Sequence, residues 1–390
     1  MDGSERRGLR GGVNQIGVRQ HNERLIMTLI SRAGALPGTE IAKRTQLSAQ
    51  TVSNILRKLE NDGFLLRGEP QRGRVGKPSI PMALDPNGAL SVGLKLGRRT
   101  SDLSILNLTG EVLGQKIKTY KYPMPNDIFG FLRDGLAELS ADLTEYQRGR
   151  IAGIGIAAPS EIWSWIDVLG APLDFAIWRD IDIAKEVANF SDLPVFMEND
   201  GTAACRAEHV FGRGRELTDY AYFYLGSFVG GGIVLNGSLV GGIQGNAGAF
   251  GSLRVPSSKG GMGQLIDEAS LYLLENALGE VGVDREAMWH QPQDWSQFGD
   301  SLNSWIARAA KALAHAARSV CAVIDFSTIL IDGAFPAAVR AQLVAQTQIE
   351  LDRLDKRGLQ IPAVEAATVG GNARVIGAAS IPVLSQFFLE

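Results

Sequence analysis

A chain of 390 residues, 45% hydrophobic and 21% charged, holds enough apolar mass for two or three cores and is not a disordered or low-complexity protein. No apolar run approaches the roughly 20 residues of a membrane span, and Met1 to Arg7 lacks the apolar stretch of a signal peptide, so a cytoplasmic protein without membrane contact is expected. The net charge of −3 hides an asymmetry: residues 1–80 carry 14 Lys and Arg against 7 Asp and Glu, net +7, and the other 310 carry 25 against 35, net −10. A basic head can release counterions from a polyanion, while an acidic body is repelled by the same duplex.

The first periodic segment, Asn22 to Ala33, sets Leu25, Ile26, Leu29 and Ile30 on one helical stripe. Thr39 to Leu59 then reads as two short helices joined by a tight turn. The first carries Ile41 and Ala42, the turn is Gln46-Leu47-Ser48, and the second places Val52, Ile55, Leu56 and Leu59 on its inner face. Gln50, Thr51, Ser53, Asn54, Arg57 and Lys58 face outward, a set suited to base edges and phosphates. Ser48 stands where an N-cap would satisfy the first amides of that helix, whose positive end points toward a phosphate. Gly63 to Arg67 reads as a strand, and Gly68 to Pro78 as a hairpin carrying Arg72, Arg74 and Lys77. An amphipathic helical pair alone would need no DNA. A third helix before it and a basic hairpin after it, in this order, predict a winged helix-turn-helix over residues 1–80.

Residues 81–90, with two prolines and a glycine, read as a linker. Beyond it, Ser91 to Gly97, Ser101 to Asn107 and Glu111 to Tyr120 predict three antiparallel strands, with a tight turn at Leu108 to Gly110. A helix over Asn126 to Tyr146, a strand over Ile151 to Ala157, a helix near Asp182 to Phe190 and a strand over Pro194 to Met197 follow. This alternation predicts an α/β sheet. From Tyr220 the order partly repeats, with strands at Tyr220 to Gly226, Gly231 to Asn236, Ser238 to Val240 and Thr328 to Ile331. Helices are expected over Gln264 to Leu278, Ser301 to Asp325, Pro336 to Leu354 and Asn372 to Phe388. Two similar halves are implied, and no short repeat suggests a solenoid. Cys205 and Cys321 are far apart, without a Cys-x-x-Cys or a histidine cluster, so neither disulfide, metal nor cofactor is expected.

In these segments the chain resembles the ROK family, a group of bacterial sugar-responsive repressors, open reading frames and sugar kinases. Gly153-Ile-Gly-Ile-Ala-Ala-Pro159 is similar to its Gly-rich strand, and Val195 to Glu208 to its Glu-Asn-Asp strand-to-helix turn. Leu225 to Gly237 is similar to its second Gly-rich hairpin, and Gly241 to Ser252 to the stretch that ordinarily ends Gly-Glu-Ile-Gly-His. The resemblance implies an actin-like, sugar-kinase-like (ribonuclease H-like) pair of α/β lobes, 91–200 and 201–390, with dimerisation helices in the second and a winged-helix head from the repressor branch.

The departures from the family pattern carry further expectations. Kinases of the family open their first hairpin with Asp-x-Gly-Gly-Thr. Here the run is Lys95-Leu-Gly-Arg-Arg-Thr100, so the acid that the resemblance implies as a Mg²⁺ partner is replaced by a cation and no phosphoryl transfer is expected. Asp200 stands at the kinase general base, with Asn199 beside it as a bidentate hydroxyl partner. The pair either binds a sugar or is simply a turn. The family's sugar-contacting Glu and His fall at Ala249 and Ser252. Either another polyol or sugar derivative fills the space, with Ser252 as a weaker partner, or the cleft has lost its effector. The family's zinc-binding cysteines are absent from Val255 to Leu265, and Gly76-Lys77-Pro78 replaces the usual wing arginine.

The expected function is a sugar-responsive repressor, a homodimer or homotetramer on an inverted-repeat operator of double-stranded DNA, with no enzyme activity and no catalytic residue. Gln50, Thr51 and Asn54 are expected at base edges, Ser48, Arg57 and Lys58 at phosphates, and Arg74 and Lys77 in the adjacent groove. Asn199, Asp200 and Ser252 are the expected ligand residues. A sugar kinase with an appended head and a ligand-independent DNA-binding regulator are the alternatives.

Overall fold

A computed structural model describes residues 15–70, 79–160, 162–165 and 171–389. Two compact units emerge. The smaller runs up to Leu90 and takes in the turn Asn107–Glu111 and the chain from Val383; the larger comprises Ser91–Leu106 and Val112–Pro382.

The smaller unit contains α1 (Gln15–Ala33), β1 (Leu36–Pro37), α2 (Gly38–Thr45), α3 (Ala49–Asn61), β2 (Leu65–Arg67) and β3 (Pro81–Leu84). Its core forms where Ile26, Met27 and Ile30 of α1 meet Ile41 of α2 and Val52, Ile55, Leu56 and Leu59 of α3. Leu25 and Leu29, expected on the inner stripe, are only half-buried, and Met27 takes the deeper place. Gln46 closes α2 in a left-handed conformation with φ 57°, and this reversal lets α3 start afresh at Ser48. The segment 81–84, expected as linker, is instead the middle strand of a sheet of order β1-β3-β2. Pro81 opens that strand, one of the few strand positions where a missing N–H is tolerated. Arg72, Arg74 and Lys77 lie outside the described residues.

The larger unit repeats one plan twice. β4 (Leu90–Leu96), β5 (Thr100–Asn107), β6 (Val112–Thr119), β7 (Ile151–Ala158) and β8 (Val195–Asn199) form a sheet of order β6-β5-β4-β7-β8. Helices α4 (Pro125–Ala141), α5 (Glu145–Arg148) and α6 (Ile183–Ala188) lie between these strands in the chain. The helix expected over 126–146 breaks after Ala141, because Thr144 and Gln147 build a capping box that starts α5.

After α7 (Asp200–Phe211), strands β9 (Tyr220–Leu225), β10 (Val229–Leu235) and β11 (Ser238–Leu239) precede a small hairpin, β12 (Arg254–Pro256) and β13 (Met262–Gln264). Helices α8 (Ile266–Ala269), α9 (Leu271–Glu280) and α10 (Gly299–Val323) lead to β14 (Thr328–Gly333), then α11 (Ala337–Arg353), β15 (Ala363–Ala366) and α12 (Ala373–Phe387). The second sheet has order β11-β10-β9-β14-β15, with β9-β14 and β14-β15 parallel, so each sheet sets its first three strands beside its last two in the same way.

α12 departs from the expected division at residue 200, because it packs on the first sheet as well. A Cβ on Gly93 of β4 or Gly155 of β7 would strike the backbone of α12, and one on Gly377 would strike that of α7 at Ala203. Ala157, Ala203 and Ala378 fill the remaining gap, so small residues from both lobes close around this helix. Its end from Val383 belongs to the smaller unit, where the Phe387 and Phe64 rings lie 4.9 Å apart and the Leu389 amide donates to Thr28 Oγ1 at 2.9 Å. No described helix is long and apolar enough to cross a membrane.

Candidate functional site

The exposed face of α3 is built by one cap and one side-chain pair. Ser48 Oγ accepts from the Thr51 amide at 3.1 Å, which fixes the first turn. One turn on, Gln50 Nε2 donates to Asn54 Oδ1 at 3.1 Å, so the two amides stand side by side and exposed, with Ser53 and Arg57 on the same solvent face. Lys58 differs from the expected set. Its ammonium pairs with Glu23 of α1 at 2.9 Å and with Asp62 at 3.0 Å. Burial alone would lower its pKa, but the hydrogen bonds to Glu23 and Asp62 outweigh this and raise it. Lys58 therefore ties α3 to α1, and a phosphate would compete with two carboxylates for it.

The second site is a cavity of about 620 Å³ within the larger unit, and it brings Asn199, Asp200 and Ser252 together with Ala249. Asn199 is not free to act as a bidentate hydroxyl partner. Its Oδ1 accepts from the amides of Gly201 (2.9 Å) and Thr202 (3.3 Å), capping α7, and its Nδ2 donates to Ser160 Oγ at 3.1 Å. The turn and the ligand readings thus divide between neighbours: Asn199 holds the turn, and Asp200 lines the cavity.

Asp200 Oδ2 accepts from Arg374 Nη1 at 3.2 Å. Arg374, only 7% exposed, also faces the Tyr224 ring at 4.9 Å. Burial works against its charge, yet Tyr224, Asp200 and Asp102 more than offset this and hold its pKa above the ordinary range. Arg374 escaped the sequence reading, although a lone cation entering the apolar run Ala373 to Ala379 was a visible signal.

The hairpin that would cradle a nucleotide in the kinases is occupied by the protein's own charges. Lys95, 3% exposed, pairs with Asp102 at 2.9 Å and donates to the Thr100 carbonyl at 2.9 Å and to Thr100 Oγ1. Burial, only partly offset by Asp102, pulls its pKa down to about 8. An ammonium here donates and cannot ligate a cation. Arg98 and Arg99 both turn to Glu275 of α9, so two guanidinium groups share one buried carboxylate.

Where the family's zinc loop would lie, the β12–β13 hairpin turns through Gly260 and Gly261, both at positive φ. Glu268 of α8, buried to 3%, accepts from Ser257 Oγ at 2.8 Å and the Ser258 amide at 3.1 Å. Among the described residues no cluster of His, Cys, Asp and Glu could hold a metal. Glu268→Ala is expected to destabilise the protein by about 1–3 kcal/mol, because the Ser257 hydroxyl and the Ser258 amide lose their charged acceptor. Chelator should leave the melting temperature of the parent unchanged, and a fall on adding EDTA would show that metal, not Glu268, orders the hairpin.

The MarR family profile matches residues 20–70, which span the helix-turn-helix. An uncharacterised protein y4fQ of Sinorhizobium fredii is 26% identical over 94% of this chain and 92% of its own. A putative xylose repressor of Caldicellulosiruptor is 26% identical over 76% of each chain. Among solved structures, a ROK family transcriptional regulator, described as a homologue of the Escherichia coli MLC protein, shares the fold at TM-score 0.66 and 21% identity, covering 94% of this chain and 96% of its own. A Streptomyces griseus ROK glucokinase shares the body fold at TM-score 0.55 and 22% identity, over 75% of this chain and 99% of its own. The ROK family profile itself matches residues 91–383, both sheets and the cavity between them, and the chain belongs to the ROK family.

Proposed function

We propose that this protein is a transcriptional repressor that binds an inverted-repeat operator as a homodimer or dimer of dimers and answers to a sugar or sugar derivative in the cleft. One observation carries the reading: a helix-turn-helix with an exposed Gln50–Asn54 pair is joined to a body of sugar-kinase fold in which Lys95, ion-paired to Asp102, stands where the kinases of the family carry an aspartate. Gln50, Thr51 and Asn54 reach base edges, Ser48 and Arg57 contact phosphates, and Arg74 and Lys77 approach the adjacent groove. Lys58 joins the phosphate contacts only by leaving Glu23 and Asp62. Asp200 and Ser252 hold ligand hydroxyls. Lys95 makes phosphoryl transfer unfavourable, so the protein acts without catalysis, in the cytoplasm. The relatives named as repressors and the MarR-type match support this over a kinase with an added head.

A ligand can change operator affinity only by binding one conformation better than another. Selection of genomic fragments on the purified protein is expected to enrich a few inverted repeats, with affinity falling steeply as salt rises and changing on addition of an effector. Retention of all fragments alike would refute the regulator. In a coupled ATP-consumption assay over the same sugars, turnover that disappears in Asp200→Asn would favour the kinase.

A further inference from the structure

The charges around the cleft do not balance. Among the described lining residues the only charged side chains are Arg98, Arg374 and Asp200, two guanidinium groups against one carboxylate. The groups behind them do not correct this. Lys95 is matched by Asp102, Arg374 by Asp200, and Arg98 and Arg99 have only Glu275 between them. Arg98 Nη1 and Arg374 Nε are buried without a hydrogen-bond acceptor among the described residues. Arg98 lies 3.5 Å from Glu275, whose other oxygen is taken by Arg99. Burial pulls the Arg98 pKa down, and Glu275 restores only part of it.

Both guanidinium groups flank the same turn between β9 and β10. Arg98 lies over the Phe228 ring at 5.9 Å, and Arg374 Nη1 lies 3.4 Å from the Cβ position of Gly226. Around them the wall offers uncharged donors and acceptors, among them Ser160, Ser227, Asn246 and Ser252, and Ala249 contributes no carboxylate. A buried donor pair carrying excess positive charge beside a wall of uncharged donors and acceptors suits an anion with hydroxyl groups.

We propose that the cleft takes an acidic sugar, its carboxylate or phosphate seated between Arg98 and Arg374 and its hydroxyls on Asp200 and Ser252. The proposal rests on the reading of the cleft as an effector site and names the ligand class. It also answers the missing sugar-contacting acid at Ala249: an added carboxylate there would repel this ligand.

Calorimetric titration of the full chain tests it, with glucose and xylose as neutral probes, gluconate and glucuronate as carboxylates, glucose 6-phosphate as a phosphate ester, and inorganic phosphate. At least one acidic sugar is expected to bind about tenfold or more tighter than the neutral sugars and inorganic phosphate, and the carboxylate and phosphate arms tell the two sources apart. Arg98→Gln should remove about tenfold of that preference, with Glu275 still paired to Arg99. Arg98→Lys, which keeps charge without the planar fork, should fall between. Neutral sugars binding as tightly as acidic ones would overturn the proposal and leave the effector reading intact. Inorganic phosphate binding as tightly as glucose 6-phosphate, with no carboxylate preferred, would overturn it too. Binding of none of the probes would count against both. The comparison of probes on the parent protein needs no variant and holds if Arg98→Gln fails to fold.

Discussion

Replacing Gln50 and Asn54 together by alanine is expected to lower the ratio of operator to random-duplex affinity by about 100-fold or more, since each bidentate amide contact to a base contributes about 1–3 kcal/mol of discrimination. The double variant is the informative one. In the protein the two amides hydrogen-bond to each other, so removing one frees the other to reorient toward a neighbouring base. Fold effects should be small. Both side chains are exposed, and alanine is a better helix former than either glutamine or asparagine, so α3 retains its cap at Ser48 and its buried stripe. Arg57→Ala supplies the contrast, because a phosphate contact carries no sequence information. It should weaken operator and random duplex alike and reduce the salt slope by about one. Gel-shift titrations at several salt concentrations measure both quantities. If the double variant discriminates as well as the parent, α3 does not read the bases.

The head was legible in the sequence because its signals are local: a helical period, a cap and a polar outer face all fall within Thr39 to Leu59. The doubled α/β plan was legible for a similar reason, since buried strands such as Tyr220–Leu225 are continuous apolar runs. Elements that owe their state to distant partners were not. Ala363–Ala366 carries little β propensity of its own and becomes a strand by pairing in parallel with β14. Pro81 reads as punctuation and proves to begin the middle strand of the head's sheet. In the cleft, Asp200 and Ser252, named from motif positions, line one cavity, but the charges around it come from elements apart in the chain: Arg374 from α12, Glu275 from α9 and Asp102 from β5. Charge neutralisation across such separations has no periodicity to read. Asp102 had one visible sign, a lone acid in a strand that is otherwise apolar or weakly polar and buried throughout.

The largest stability effect should come from that acid. Asp102→Asn leaves the Lys95 ammonium buried opposite a neutral amide, and breaking a buried pair from one side typically destabilises by about 3–5 kcal/mol. Lys95→Met/Asp102→Asn, which removes both charges, should recover most of this loss, as an apolar side chain of similar length needs no counter-ion. The pH dependence has a definite sign. The folded pKa of Lys95 is about 8, below the roughly 10.4 of an unfolded lysine. Between those values the unfolded chain binds more protons, and unfolding free energy from this group rises with pH. Below pH 8 the burden of burying a charged lysine is fully present; it is relieved as pH climbs toward about 10.4. Relative to the double variant, the parent should therefore gain stability across that window, and Asp102→Asn should begin to gain at lower pH, because it lacks the carboxylate that favours the charged form. Denaturant midpoints of the three proteins between pH 6 and about 10 measure this. A constant difference between parent and double variant would mean that Lys95 titrates as an ordinary lysine. An Asp102→Asn variant as stable as the parent would mean that the pair does not hold the β4–β5 hairpin in place.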